Sequence, residues 1–363
     1  MRTRKLVLFS SVILVAGSLH AQLQRIVVQG SGAPQVFTDL AGAIAGAQAN
    51  DVLYCSGGVF SIATSLVLDK PLQFIGAGIH PDSTQATGTT SFVCQGSASK
   101  LSITDAASGS TFTGIYFATA PISYGPLVTY GTSSADDQVT NILFQRCRFS
   151  KGTVTLAFDG NGSSMPGLVT TFDECHISAR VDGNKRGAVF TRCIVDAHDI
   201  GVYAINEFNG GSLLVENCVF LNAILGNCQF ATVRNSISTA PNYLCLDCTG
   251  GNIINVVSAS TTNWFYTGVA SITNSVLGQD ATTFFVSETD DLYQYSDDLH
   301  MAPGSPGINY GDDGNDAGIY GSSSPYKVGA IPFNPHYNQA VVAPATNSNG
   351  ELPVNLRVAA QPY

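Results

Sequence analysis

Seven four-residue segments repeat one pattern along this chain at steps near 20. They are Phe144-Gln145-Arg146-Cys147, Phe172-Asp173-Glu174-Cys175, Phe190-Thr191-Arg192-Cys193, Val215-Glu216-Asn217-Cys218, Val233-Arg234-Asn235-Ser236, Ile253-Ile254-Asn255-Val256 and Ile272-Thr273-Asn274-Ser275. The steps between their fourth residues are 28, 18, 25, 18, 20 and 19. A period of that size marks a solenoid, whose turns bury their apolar faces only by stacking on one another. The first position is always apolar, the next two are mostly polar, and the fourth is small. Two adjacent polar positions break the period-2 alternation of a strand, so the chain turns a corner there. Asn217, Asn235, Asn255 and Asn274 hold that corner in the last four copies. Asn tolerates a left-handed backbone, and the four are expected to stack and bond to the next rung.

Ten residues further on, short apolar runs such as Tyr243-Leu244-Cys245-Leu246, Trp264-Phe265-Tyr266 and Phe284-Phe285-Val286 form a second column. Each repeat therefore carries at least two short strands, and the turns stack as parallel rungs ~4.8 Å apart. The register points Cys147, Cys175, Cys193 and Cys218 inward on successive rungs. Their Cβ atoms would be a full rung apart, longer than the ~3.8 Å of a disulfide, so they read as buried thiols filling the core. The chain has nine Cys, an odd number. Cys245 and Cys248 resemble half of a zinc site, but no second pair accompanies them, and no metal is assigned.

The chain opens with Arg2, Arg4 and Lys5, an apolar run from Leu6 to Gly17, and then Ser18-Leu19-His20-Ala21. This is the pattern of a secretory signal peptide, with cleavage expected after Ala21. No later stretch is apolar enough to span a bilayer. Net charge is −10, and loss of the three leading cations would make it −13. Such acidity disfavours nucleic acid, whose phosphates it would repel. Only 12% of residues are charged, with many Gly, Ser, Thr and Asn, which favours strands and tight turns over helices.

Near the start, Thr38-Asp39-Leu40 opens a helix pattern with Leu40, Ala43, Ile44 and Ala47 on one side and Thr38 as the expected N-cap. That helix would cover the open end of the solenoid. Together with the repeats, residues 22–78, Ala302-Pro303-Gly304-Ser305-Pro306-Gly307-Ile308-Asn309 and Asp316-Ala317-Gly318-Ile319-Tyr320 resemble the right-handed parallel β-helix family with a pectate-lyase-like fold. The resemblance spans roughly residues 25–337, and the tail is similar to that of secreted β-helix proteins of Bacteroidetes type. It implies an all-β fold: a right-handed parallel β-helix with a short N-terminal capping helix and a C-terminal extension. The expected divisions are 1–21 signal peptide, 22–300 β-helix with its cap, 301–337 C-terminal cap loops, and 338–363 a linker with a final edge strand. The family includes polysaccharide lyases, glycoside hydrolases, esterases and proteins without known activity, so fold alone does not fix the chemistry.

The motifs of the family's lyases and hydrolases are absent, so the densest charge carries the site expectation. Lys185, Arg186, Arg192, Asp196 and His198 are the catalytic candidates, and Arg180, Asp199 and Glu207 the substrate-binding ones. They are read as an insertion between rungs, where Arg or Lys could take a sugar proton while a cation neutralises a uronate. The competing reading is a solvated loop of local ion pairs. Asp312-Asp313-Gly314-Asn315-Asp316 resembles a calcium loop but lacks the spacing and distant Glu of an EF-hand. It reads as a tight acidic turn, and no cofactor is expected. Tyr124, Tyr130, Tyr203, Trp264 and Tyr266 could stack on sugars or fill rungs. The expected function is a secreted monomer that binds, and could cleave, a polysaccharide or cell-surface glycan. The alternative is a non-catalytic structural or adhesion solenoid. A stripe one residue past the Cys column, Arg148, His176, Ile194, Val219, Ile237, Val257 and Val276, faces outward and needs a cover. Residues 320–359 are expected to supply it.

Overall fold

The computed structural model describes residues 24–81, 84, 87–120, 125–158, 164–196, 203–261, 271–331, 336–343 and 345–359. The proposed signal peptide lies outside them. The protein is an all-β parallel solenoid. Its first sheet runs from Val52–Cys55 through Gln73–Ile75, Thr111–Thr113, Ile142–Gln145, Met165–Asp173, Arg186–Thr191, Leu213–Glu216, Thr232–Arg234 and Asn252–Ile254 to Ser271–Thr273, all paired in parallel. Ile26–Gln29 and Gln35–Phe37 add antiparallel strands at its start. The second sheet holds 15 strands and wraps the remaining faces.

The repeat sets the core. Phe74, Phe112, Phe144, Phe172 and Phe190 are in register, with successive ring centroids 4.9, 5.0, 5.2 and 4.7 Å apart and ring planes nearly parallel. A second ladder, with Phe117 stacked on Phe149, meets the first edge-on, as aromatic quadrupoles prefer. The corner is where the pattern places it. Arg146, Glu174, Arg192, Asn217, Asn235, Asn255 and Asn274 all have φ between 45° and 52°. Each of the first six donates its backbone N–H to a carbonyl on the next rung.

The four column Cys are fully buried and inward. Cys147 Sγ donates to Phe112 O, Cys175 Sγ to Phe144 O and Cys193 Sγ to Phe172 O, each at 3.3 Å. All nine Cys are free. Burial pushes the Cys94 thiol up to about 12, and all nine side chains are shielded from solvent. Thiol titration after denaturation without reductant is expected to recover all nine, and the native protein should react hardly at all. Recovery of a single thiol would mean that the ladder is cross-linked.

The helix is Leu40–Gly46, with Leu40, Ala43 and Ile44 in the core. Its N-cap is Asp39 rather than Thr38, because the Asp39 carboxylate accepts from Gly42 N at 2.8 Å. The outward stripe is covered, as expected, but by a segment that begins earlier. Ile194, Val219, Ile237 and Val257 pack with Phe284, Phe285, Leu299, Ala317, Ile319, Tyr326 and Ala330. Phe284 and Phe285 therefore belong to the cover and not to a rung. Leu352, Val354 and Leu356 take no part in it and are about half exposed. Val354–Ala359 instead pairs antiparallel with His336–Val342, which satisfies the strand's hydrogen bonds away from the solenoid and puts a strand at 338–342, read above as linker.

Candidate functional site

The corner column is the place where the returning chain docks. Asn255 Nδ2 donates to Tyr310 O at 2.8 Å. Asn235 Nδ2 donates to Asp312 Oδ1 at 2.7 Å, and Asp312 N donates back to Asn235 Oδ1 at 3.1 Å. Gly318 N donates to Asn235 O. Lys327 N donates to Glu174 Oε2 at 2.9 Å, and Arg146 Nη1 to Ile331 O. From 310 to 331 the chain thus runs back along the column toward earlier rungs. The side chains of Asn235 and Asn255 bond to this segment and not to the next rung, because the backbone N–H groups already make the bonds between rungs.

Where the segment bows away, it leaves a cleft of about 350 Å³ lined by Thr191, Arg192, Glu216, Asn217, Arg234, Asn235, Asp312, Asp313 and Ser322–Ser324. Glu216 and Arg234 end neighbouring strands in register, so Arg234 Nη2 meets Glu216 Oε1 at 2.6 Å. Arg234 Nη1 lies 4.0 Å from Asp312 Oδ2 across the cleft. One guanidinium is therefore held between two carboxylates. Slight desolvation of the exposed Asp313 opposes its ionisation, but hydrogen bonds from Asn315 N and Nδ2 outweigh this and hold the carboxyl below its usual range. Asp312 faces Asn235 and Arg234, Asp313 faces Asn315, and Asp316 accepts from Asn309 N. The carboxylates of the acidic turn point to different partners, and among the described residues no cluster of His, Cys, Asp or Glu has the grouping of a metal site.

The sequence candidates within the described residues do not form one exposed insertion. Arg180, Arg186 and Asp196 lie on the strands His176–Asp182, Arg186–Thr191 and Ile194–Asp196, the second in the first sheet and the other two side by side in the second sheet, while Lys185, Arg192 and Glu207 sit at bends. Arg186 is buried and its Nη2 pairs with Asp137 Oδ1 at 2.9 Å. Asp196 is buried and its Oδ2 lies 2.7 Å from His176 Nε2. Arg192 pairs with Asp173 at the corner and borders the cleft. Arg180 pairs with Asp182 at 2.9 Å. Lys185 and Glu207 share another bend, where Lys185 N donates to Glu207 O. His198 and Asp199 lie outside the described residues. Arg192 is thus the one candidate among those described that the cleft takes in, and it is joined there by Arg234, Glu216, Asp312 and Asp313. These strands are buried on nearly every position and do not alternate, because other parts of the chain cover their outer face, which charge density alone does not reveal.

Ser178, His176 and Asp196 do come together, a grouping the sequence hides. Ser178 Oγ lies 3.0 Å from His176 Nε2, the same nitrogen that meets Asp196. A nucleophilic relay needs its serine and its acid on opposite ring nitrogens. Here all three are buried beneath Tyr293, whose ring packs edge-on to His176 at 4.8 Å. Beside them Arg148 lies between Tyr116 and Tyr295, 4.9 and 5.4 Å from the ring centres. The polar end of the stripe is thus covered by tyrosines, as the apolar end is by aliphatic side chains. Among the described residues, no helix is long and apolar enough to cross a membrane. No protein-family model matches the chain, and no curated protein sequence matches it.

Proposed function

We propose that this chain is a secreted, monomeric, right-handed parallel β-helix, closed at its N-terminal end by the helix Leu40–Gly46, that binds a polysaccharide or cell-surface glycan in the corner cleft. The lining of the cleft carries the reading. Arg192 and Arg234 donate, Glu216, Asp312 and Asp313 accept, and Asn and Ser side chains do both. A hydroxyl-rich chain presents the same mixture. The charge pattern at the start of the sequence supports secretion. Binding without cleavage is favoured over a lyase or hydrolase, because Arg186 and Asp196 are committed to buried pairs. A structural or adhesion solenoid is the second reading, and the exposed Val354, Leu356 and Val358 of the terminal strand favour it.

Affinity electrophoresis through gels containing xylan, mixed-linkage glucan or polygalacturonate tests the proposal. At least one should retard the protein, and Arg234→Ala should weaken that retardation about tenfold, the loss of one charge-assisted hydrogen bond. The same samples should release no new reducing ends and no ultraviolet-absorbing unsaturated sugars. Migration unaffected by every polysaccharide would refute binding.

A further inference from the structure

We infer that Phe230 is a stacking platform for a sugar ring, and that it extends the corner cleft across the outer face of the first sheet toward a neutral, pyranose-based polysaccharide. The inference rests on the glycan-binding reading above and names the class of glycan.

Phe230 sits in the bend before the strand Thr232–Arg234 and has φ 56°. An aromatic residue in left-handed backbone is a genuine outlier. The registers Gly226 to Leu246, Gln229 to Thr249 and Thr232 to Asn252 put Gly250 in the same place one rung on, with φ 67°. The preceding bend, between Asn206 and Leu214, is two residues longer and also holds a glycine, Gly210, at φ 110°. The next rung thus uses glycine at this position, where this rung spends a phenylalanine. The core gains nothing from it, since Phe230 is 68% exposed. Strain combined with exposed apolar area is retained where a site uses it.

The surroundings supply the use. A Cβ added to Gly250 would lie 2.7 Å from Phe230 Cε1, so the glycine makes room for the ring to rest against the next rung. Tyr203, 36% exposed, rests against Gly226 in the same way, with its Cδ1 2.7 Å from where a Cβ would be. The exposed side chains of this bend and of the bend stacked on it include Asn227, Gln229, Asp247, Thr249 and Asn252. An aromatic ring for the C–H face of a sugar, with exposed amides and a hydroxyl on the same and the next bend for its edges, suits recognition of a pyranose. The charged member of that set is a carboxylate, and the net charge is −10, so a uronate would be repelled here. Arg234 of the cleft ends the strand that this bend opens, four residues on, so the two lie at most about 13 Å apart at ~3.3 Å per residue. Thr232 lies between them and accepts from Asn252 Nδ2 at 3.4 Å. A short oligosaccharide can therefore reach from the cleft to the ring.

Isothermal titration of the intact protein with cellohexaose, xylohexaose and a galacturonate hexamer tests this. One of the two neutral hexamers should bind and the galacturonate should bind at least tenfold more weakly. Phe230→Ala and Phe230→Gly should each lower the affinity for the neutral hexamer tenfold or more, and Phe230→Tyr should retain it. The melting temperature of Phe230→Gly should equal or exceed that of the wild type, which separates a lost contact from a lost fold. If the neutral hexamer binds and Arg234→Ala weakens it while Phe230→Ala does not, the platform is wrong and the cleft stands. Preference for the galacturonate would overturn the neutral assignment. If no hexamer binds and Phe230→Ala instead abolishes self-association in sedimentation, the ring is a protein contact and both readings fall.

Discussion

Ending the chain at Gly278 is expected to yield a protein that binds hydrophobic dyes and melts far below the full-length form, or does not stay soluble. The truncation strips the cover from Ile194, Val219, Ile237 and Val257, which form one continuous apolar stripe on the second sheet. Full burial of each Val or Ile is worth roughly 1.5–3 kcal/mol. Even discounted for residual burial in the unfolded chain, the four together rival the about 5–15 kcal/mol that keeps a domain folded. The truncation also removes Tyr293 and Tyr295 from His176 and Arg148, and the backbone groups of 310–331 from the corner column. Removing residues 336–363 is the matched control. Its described strands pair with each other, and Val354, Leu356 and Val358 face solvent, so the melting temperature should barely change. Calorimetry on the two truncations separates the cases. Equal melting temperatures would mean that the cover adds little and that the stripe is held by the rungs alone.

How far the sequence reaches can be judged residue by residue. Phe144, Arg146 and Cys147 were legible together, because an apolar, polar, polar, small pattern in seven registered copies fixes both the inward face and the bend. The φ values of Asn217 and Asn235 follow from the same column. Their side-chain partners do not, since Tyr310 and Asp312 lie 55 and 77 residues away from Asn255 and Asn235, and nothing local encodes that distance. Arg186 misleads for a related reason. Its charge suggests solvent, yet Asp137, 49 residues earlier, neutralises it inside the fold. The cleft was half legible. Arg192 stood out as charge, whereas Glu216 and Arg234 looked like ordinary outward positions of neighbouring repeats until the returning segment enclosed them. Phe230 leaves a sequence signal after all, visible once the rungs are aligned and Gly250 falls opposite it.

Glu174→Ala is expected to cost about 3–5 kcal/mol, the penalty for leaving a buried charge without its counter-charge. Arg146 is wholly buried and Glu174 is 3% exposed, with Arg146 Nε donating to Glu174 Oε2 at 3.0 Å. The carboxylate also accepts from Lys327 N, so the variant loosens the cover as well as the corner. The later rungs of the column carry neutral Asn at this position, and the column's bend is kept there without charge. The pair therefore serves docking of residues 327–331 more than the bend itself. Two consequences separate this from a simple packing defect. The double variant Arg146→Met, Glu174→Leu should recover much of the loss, because it removes both charges and keeps volume. The coupling energy from the complete mutant cycle should be large and nearly independent of salt, since a buried pair is poorly screened. Urea unfolding of the four proteins at low and high salt provides the measurement. A double variant no more stable than Glu174→Ala would show that the corner needs these side chains for their hydrogen bonds to the returning chain, and not for their mutual charge.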